Sequence, residues 1–153
     1  MSTRKTYLRS YNAHKLGSMR YMLNQKPSKN HFHRLVAFMH AAPIRVNTNL
    51  YRSVNTNLVE KLLKNGYLND TYVSSFSKNK TIANNFRKNI KGRILILSPG
   101  LYQAINSTRK RRGFHFAEKE VTLAPGRYHL VGMTNTGNLR VRYTPIPLKA
   151  SLN

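Results

Sequence analysis

The chain has no cysteine and no tryptophan, and only four acidic residues among its 153: Glu60, Asp70, Glu118 and Glu120. Without cysteine there can be no disulfide framework, no thiolate zinc site and no cysteine nucleophile. No apolar run reaches the roughly 18 residues that a membrane span needs. Met1–Arg9 is basic but no apolar stretch follows, so a secretory leader is not expected. Low-complexity blocks and internal repeats are also missing. What is abundant is positive charge. Lysine and arginine total 27, the formal net charge is +23 and the sequence pI is about 11.1.

The length suits one domain, long enough to bury a core without a metal or disulfide staple. Hydrophobic residues make up 40% and aromatics 10%, which argues against disorder along the whole chain. The expected organisation is a basic arm over residues 1–29 and a single compact domain over 30–153. In the arm, Arg4, Lys5 and Arg9 alternate with Tyr7, Leu8 and Tyr11, and a short helix is expected around Gly17–Leu23. Interleaved aromatic and basic residues can stack on bases and touch phosphates. They can equally pack the arm onto its own domain or a neighbouring subunit. A charge of this size speaks to partners rather than to fold. Nucleic acid, or a complex that contains it, is the first partner class it suggests; a membrane is not.

Phe32, Leu35, Val36 and Met39 stand at i, i+3, i+4 and i+7, which predicts an amphipathic helix over Lys29–Ala42, stopped by Pro43. His31, His33 and His40 lie on or near it without the spacing or fourth ligand of a zinc site, so they read as surface or packing histidines. Asn49–Val54 predicts a strand. Asn57 followed by Glu60 predicts a capped helix that runs through Leu62–Leu63 to Gly66. Tyr72–Ser77 predicts an extended piece and Thr81–Asn89 a short helix. Arg93–Ser98, Glu118–Leu123, Arg127–Met133 and Leu139–Thr144 predict strands, with turns at Pro99-Gly100, Pro125-Gly126 and Thr134–Asn138. Pro145–Asn153 is expected to be irregular. Helices first and strands later predict an α+β fold with a largely antiparallel sheet.

Three short segments carry potential chemistry. Arg52 lies inside a strand, where an arginine is either exposed or paired with an anion, phosphate included. Ser75 and Ser77 place hydroxyls at a strand end, able to orient a carboxylate or a sugar. Glu118 and Glu120 stand at i and i+2, so in a strand they project side by side. The basic run Arg109, Lys110, Arg111 and Arg112 precedes them. Half of all the acids thus gather at one point. Taken singly, the three segments also fit a surface arginine, a polar strand end and a solvated edge strand.

In this order the segments resemble the Arg–Ser–Glu class of mono-ADP-ribosyltransferases, the arginine-specific, toxin-like group. Tyr51-Arg52 is similar to its aromatic-arginine strand. Ser75-Phe76-Ser77, with Ala83 and Phe86 following, is similar to its Ser-Thr-Ser segment. Glu118-Lys119-Glu120-Val121 with Pro125-Gly126 is similar to its Glu-x-Glu-Val…Pro-Gly segment. The resemblance runs from about Phe32 to Val131 and departs at Ser53, where glycine is common, and at Phe76. It implies two packed, mostly antiparallel sheets with an N-terminal helix and flanking short helices. It also implies NAD as a substrate, without metal, bound by Arg52, Ser53, Ser75, Phe86 and Glu120. Arg52 would contact the phosphates and Ser75 would hold Glu120 or the ribose. Glu120 would accept a hydrogen bond from the ribose 2′-hydroxyl and stabilise the charge left as nicotinamide departs. Glu118 and Phe114 would recognise the acceptor, a target protein with an exposed arginine. The surrounding cations are expected to keep Glu118 and Glu120 ionised. A cytoplasmic place of action is expected, that of a host cell if a virion delivers the protein. The rival readings are a basic virion or packaging protein with the fold and no activity, and a transferase acting on RNA.

Overall fold

The computed structural model describes residues 29–81, 83–84, 92–107 and 120–147, with side chains from 33 onward and none at 107. Within them the chain forms two helices and ten strands, a mixed α+β architecture. The arm residues Arg4, Lys5 and Arg9, the helix expected at Gly17–Leu23 and the residues beyond Pro147 lie outside the described residues.

Helix α1 spans Lys29–Ala41. Its inward stripe holds Leu35, Val36 and Met39, all buried. Helix α2 spans Thr56–Asn65. Its N-cap is Asn55, whose side-chain oxygen accepts from the Leu58 backbone N–H at 2.9 Å. The capping box expected from Asn57 and Glu60 therefore does not form. The helix begins one residue before Asn57, and the cap falls to the extended residue before it, as capping geometry demands. At the other end Gly66 adopts φ 80°, and its N–H closes on the Leu62 carbonyl at 2.8 Å. That left-handed conformation is open to glycine at little cost.

The strands are β1 (Ile44–Val46), β2 (Leu50–Val54), β3 (Tyr67–Asp70), β4 (Ser74–Ser77), β5 (Arg93–Leu97), β6 (Gly100–Tyr102), β7 (Ala104–Ser107), β8 (Glu120–Leu123), β9 (Gly126–Met133) and β10 (Leu139–Pro145). β1 and β6 form a two-stranded sheet; the others form an eight-stranded sheet in the order β3-β9-β10-β5-β2-β4-β8-β7. All pairings are antiparallel except β5 with β10. Strands β1, β3, β6 and β7 do not announce themselves in the sequence. Each has three or four residues, too few to show a period of two, and each exists because a partner strand lies beside it. The turn expected at Pro99-Gly100 falls at Ser98-Pro99, and Gly100 already belongs to β6.

Alternation along the strands sorts the large sheet into two faces. One face carries the main core, including Leu50, Val54, Leu95, Leu97, Val121 and Leu123. An aromatic chain crosses that core: Phe76 to Tyr128 at 5.7 Å between ring centres, Tyr128 to Tyr143 at 5.4 Å, and Tyr143 to Tyr102 at 5.9 Å. Gly126 permits this packing, because a Cβ there would lie 2.2 Å from the Tyr143 ring. The other face carries a small cluster of Ala83, Ile94 and Ile96 with Tyr51.

The capping assignment has a direct check. Asn55→Ala should destabilise the fold by about 1 kcal/mol, whereas Asn57→Ala should stay within about 0.5 kcal/mol of the parent. Denaturant midpoints of the two variants measure this; equal losses would return the cap to Asn57.

Candidate active site

Strand β8 is short and central to the site. Ser77 stands opposite Glu120, and Ser75 opposite Thr122, in the β4–β8 pairing. Opposed residues share a face, so Ser75, Ser77, Glu120 and Thr122 lie together on the face away from the main core. The Ser75 hydroxyl stands near enough to the Glu120 carboxylate to favour its charged form. Of the four expected catalytic residues, the structure brings these two together.

Burial pushes the Glu120 carboxyl up to about 7, and the neighbouring Ser75 hydroxyl acts in the opposite direction. The expectation that nearby cations would keep this group ionised is therefore corrected. Desolvation acts on the carboxylate itself, while solvated cations are screened over a Debye length of roughly 8–10 Å. A carboxyl that titrates near neutrality can carry a proton or a negative charge at working pH, which suits it to catalysis.

Arg52 takes a different place. In β2 it follows Tyr51, and Tyr51 is paired with Ser77 on the Glu120 face. Alternation sends Arg52 to the core-side face, opposite Leu95 and beside Phe76, with its guanidinium carbon 6.0 Å from the ring centre. There its Nη1 donates to Asp70 Oδ2 at 3.0 Å and to Ser74 Oγ at 2.9 Å. Ser74 also donates to Asp70 Oδ2, and the Tyr72 N–H donates to Oδ1 at 3.1 Å. The side chains of Arg52 and Asp70 are 16% and 12% exposed, so the pair is mostly withdrawn from water. Asp70 thus supplies the anion that a strand arginine requires. The sequence reading missed it, although Asp70 is one of only four acids and that scarcity was the available signal.

Ser53 lies on the same face as Tyr51 and donates its hydroxyl to the Ala83 carbonyl. That bond ties β2 to the helical residues Lys80, Thr81, Ala83 and Asn84. Asn79 starts the turn by accepting from the Thr81 N–H at 2.9 Å, and its own N–H donates to Ser77 Oγ at 2.9 Å. Glu118, Phe86 and Phe114, together with Arg109, Lys110, Arg111 and Arg112, lie outside the described residues.

Among the described residues no group of three potential metal ligands occurs, and no helix is long and apolar enough to cross a membrane. No known protein family, no curated protein and no solved structure matches the chain.

Two outcomes follow from these environments. Asp70→Ala leaves the withdrawn Arg52 guanidinium without its anion and should cost on the order of 3 kcal/mol. The double variant Arg52→Leu/Asp70→Ala should recover much of that in chemical denaturation; equal losses would show that the pair itself contributes little. For Glu120, the raised value means the folded chain holds a proton that the unfolded chain loses. Its contribution is therefore full below about pH 4.5 and lost as pH rises through about 7, on the order of 3 kcal/mol in all. Glu120→Gln removes this dependence, so its melting temperature should gain on the parent between pH 5 and pH 8. A difference independent of pH would contradict the desolvated placement of this carboxyl.

Proposed function

We propose that the chain is an NAD-dependent mono-ADP-ribosyltransferase with an ADP-ribosyltransferase-like fold, acting on arginine side chains of a target protein. The observation that carries this reading is the Ser75–Glu120 contact on the face away from the core. It joins two of the three segments through which the sequence resembles the family. In this reading the bond between ribose C1′ and the nicotinamide nitrogen breaks, and its electron pair returns to the nicotinamide ring. A nitrogen of the acceptor guanidinium then bonds to C1′ and gives up a proton, for which Glu118 is the proposed base. Glu120, held by Ser75, faces the positive charge that grows on the ribose. A fixed carboxylate of this kind is worth on the order of 3–4 kcal/mol of barrier. It must be ionised to act, so burial gives the reaction an acidic limb close to neutrality.

Phe86 is proposed to pack on the nicotinamide and Phe114 to meet the acceptor. Arg52, which the resemblance assigns to the phosphates, lies on the core-side face with Asp70 and Ser74 as partners, so in this reading it braces β2 beneath the site rather than touching the NAD that Glu120 meets. The arm residues Arg4, Lys5 and Arg9 and the run Arg109–Arg112 would bring the enzyme to nucleic acid or its complexes. The place of action proposed is the cytoplasm, that of a host cell if a virion delivers the protein. The net charge of +23 favours one second reading, a nucleic-acid-associated protein of the same fold without turnover.

Incubation with NAD and polyarginine tests the proposal by nicotinamide release and transfer of label. Release should rise with pH through about 7. Glu120→Gln should lower it by about a hundredfold or more, with folding retained. Ser75→Ala removes the hydroxyl that favours the charged carboxylate, so the acidic limb should move to higher pH. Turnover of Glu120→Gln near the parent rate would sink the assignment. No turnover by the parent, with salt-sensitive RNA binding, would favour the second reading.

A further inference from the structure

On the same face as Glu120, an open cleft of about 360 Å³ runs from β2 toward β10. Its walls include Asn49, Tyr51, Lys80, Thr134, Thr136 and Arg140, and Ile96 lies in its floor. The sheet register explains how these residues meet. Glu120 is opposite Ser77, Ser77 opposite Tyr51, Tyr51 opposite Ile96, and Ile96 opposite Arg140. One row therefore leads from the partly buried Glu120 carboxyl to Arg140 across four strand spacings, roughly 19 Å along the sheet.

The chemistry of the cleft is that of an anion site with an aromatic wall. Lys80 and Arg140 are exposed and form no ion pair with the described acids. In a chain with four acids this is common, but here the two cations share one concavity with hydroxyl and amide donors. The rim is built in advance. In the β9–β10 turn the Thr134 N–H donates to the Asn138 carbonyl at 2.8 Å, and the Gly137 N–H donates to the Thr134 carbonyl at 3.0 Å. The Asn138 N–H reaches Thr134 Oγ1 at 3.0 Å, and the Thr134 and Thr136 hydroxyls stand 3.0 Å apart. Gly137 allows the turn by taking φ 84°. On the opposite wall, Lys80 rides on the helical turn fixed by Asn79 and by the Ser53–Ala83 bond. Lys80 and Arg140 are thus carried by elements that are already held, so less freedom is lost when an anion binds. The volume is that of a small-ligand pocket, near the lower end of the range of about 300–1,000 Å³.

We propose that this cleft binds the phosphate of a nucleotide. Arg140 and Lys80 supply the charge-assisted bonds, Thr136 a hydroxyl, and Tyr51 a ring for the base or sugar to lie on. The site is distinct from Arg52, which faces the opposite side of the sheet. It stands whether or not Glu120 catalyses transfer.

The test is binding of a fluorescent ADP analogue to the full chain at fixed ionic strength. Arg140→Ala and Lys80→Ala should each weaken it about tenfold, the loss expected for one charge-assisted hydrogen bond. Both side chains are exposed, so both variants should fold. Arg45→Ala, an exposed cation on β1, controls for charge alone and should leave binding unchanged. Displacement of the analogue by NAD would identify a dinucleotide as the source of the phosphate. Displacement by oligouridylate, with NAD ineffective, would identify a nucleic-acid strand. The proposal is overturned if the Arg140 and Lys80 variants lose no more affinity than Arg45→Ala, or if inorganic phosphate and ADP compete equally poorly with no variant effect.

Discussion

A single strand pairing, Tyr51 opposite Ser77, joins the two parts of the large sheet. On one side of it lie β3, β9, β10, β5 and β2; on the other lie β4, β8 and β7. β2 pairs along its whole length with β5, from Leu50 opposite Leu97 to Val54 opposite Arg93. Toward β4 it has one opposed pair. Everything of chemical interest is arranged about that junction. Ser75 and Glu120 stand on one side of it, Arg52 bridges to Asp70 and Ser74 beneath it, and the cationic cleft begins at Tyr51 above it. With little backbone pairing there, side chains provide the remaining cohesion: the Arg52–Asp70–Ser74 network on one face and the Ser53–Ala83 bond on the other.

The three acids among the described residues are used in different ways, and this bears on how a chain of charge +23 is organised. Asp70 is spent on structure: it accepts from Arg52, Ser74 and the Tyr72 backbone. Glu120 sits in a poorly solvated place with a hydroxyl partner and a raised titration point. Glu60 lies exposed on α2. Almost none of the positive charge is therefore neutralised internally. Among the described residues, Arg45, Lys80 and Arg140 lie exposed, where they can draw anions, and the shape of the surface decides where those settle. Between Lys80 and Arg140 the surface is concave, polar and braced by a hydrogen-bonded turn.

Much of the framework is legible in local pattern. The Leu35, Val36 and Met39 stripe, the Gly66 stop and the strands at Leu50–Val54, Arg93–Leu97 and Leu139–Pro145 all carry their own periodicity or punctuation. The cap of α2 shows the limit. Asn55 and Asn57 are the same residue type two positions apart, and only the backbone conformation selects between them. The short strands β1, β3, β6 and β7 lack a signal because their stability comes from neighbours distant in sequence, such as Tyr67–Asp70 against Gly126–His129.

The site divides along the same line. The amino-acid order alone determined that Ser75 and Glu120 are strand residues able to meet, and that carboxylates are too scarce to be incidental. Tertiary structure decided the environment of each group. It placed Glu120 where desolvation outweighs the surrounding cations, because burial acts on the carboxylate directly and solvated charge is screened. It turned Arg52 to Asp70 on the other face, because adjacent strand residues point in opposite directions and Tyr51 is paired toward Glu120. It also set Lys80 and Arg140, sixty residues apart in the chain, on one cleft, because the parallel pairing of β5 and β10 carries the row begun at Tyr51 to Arg140.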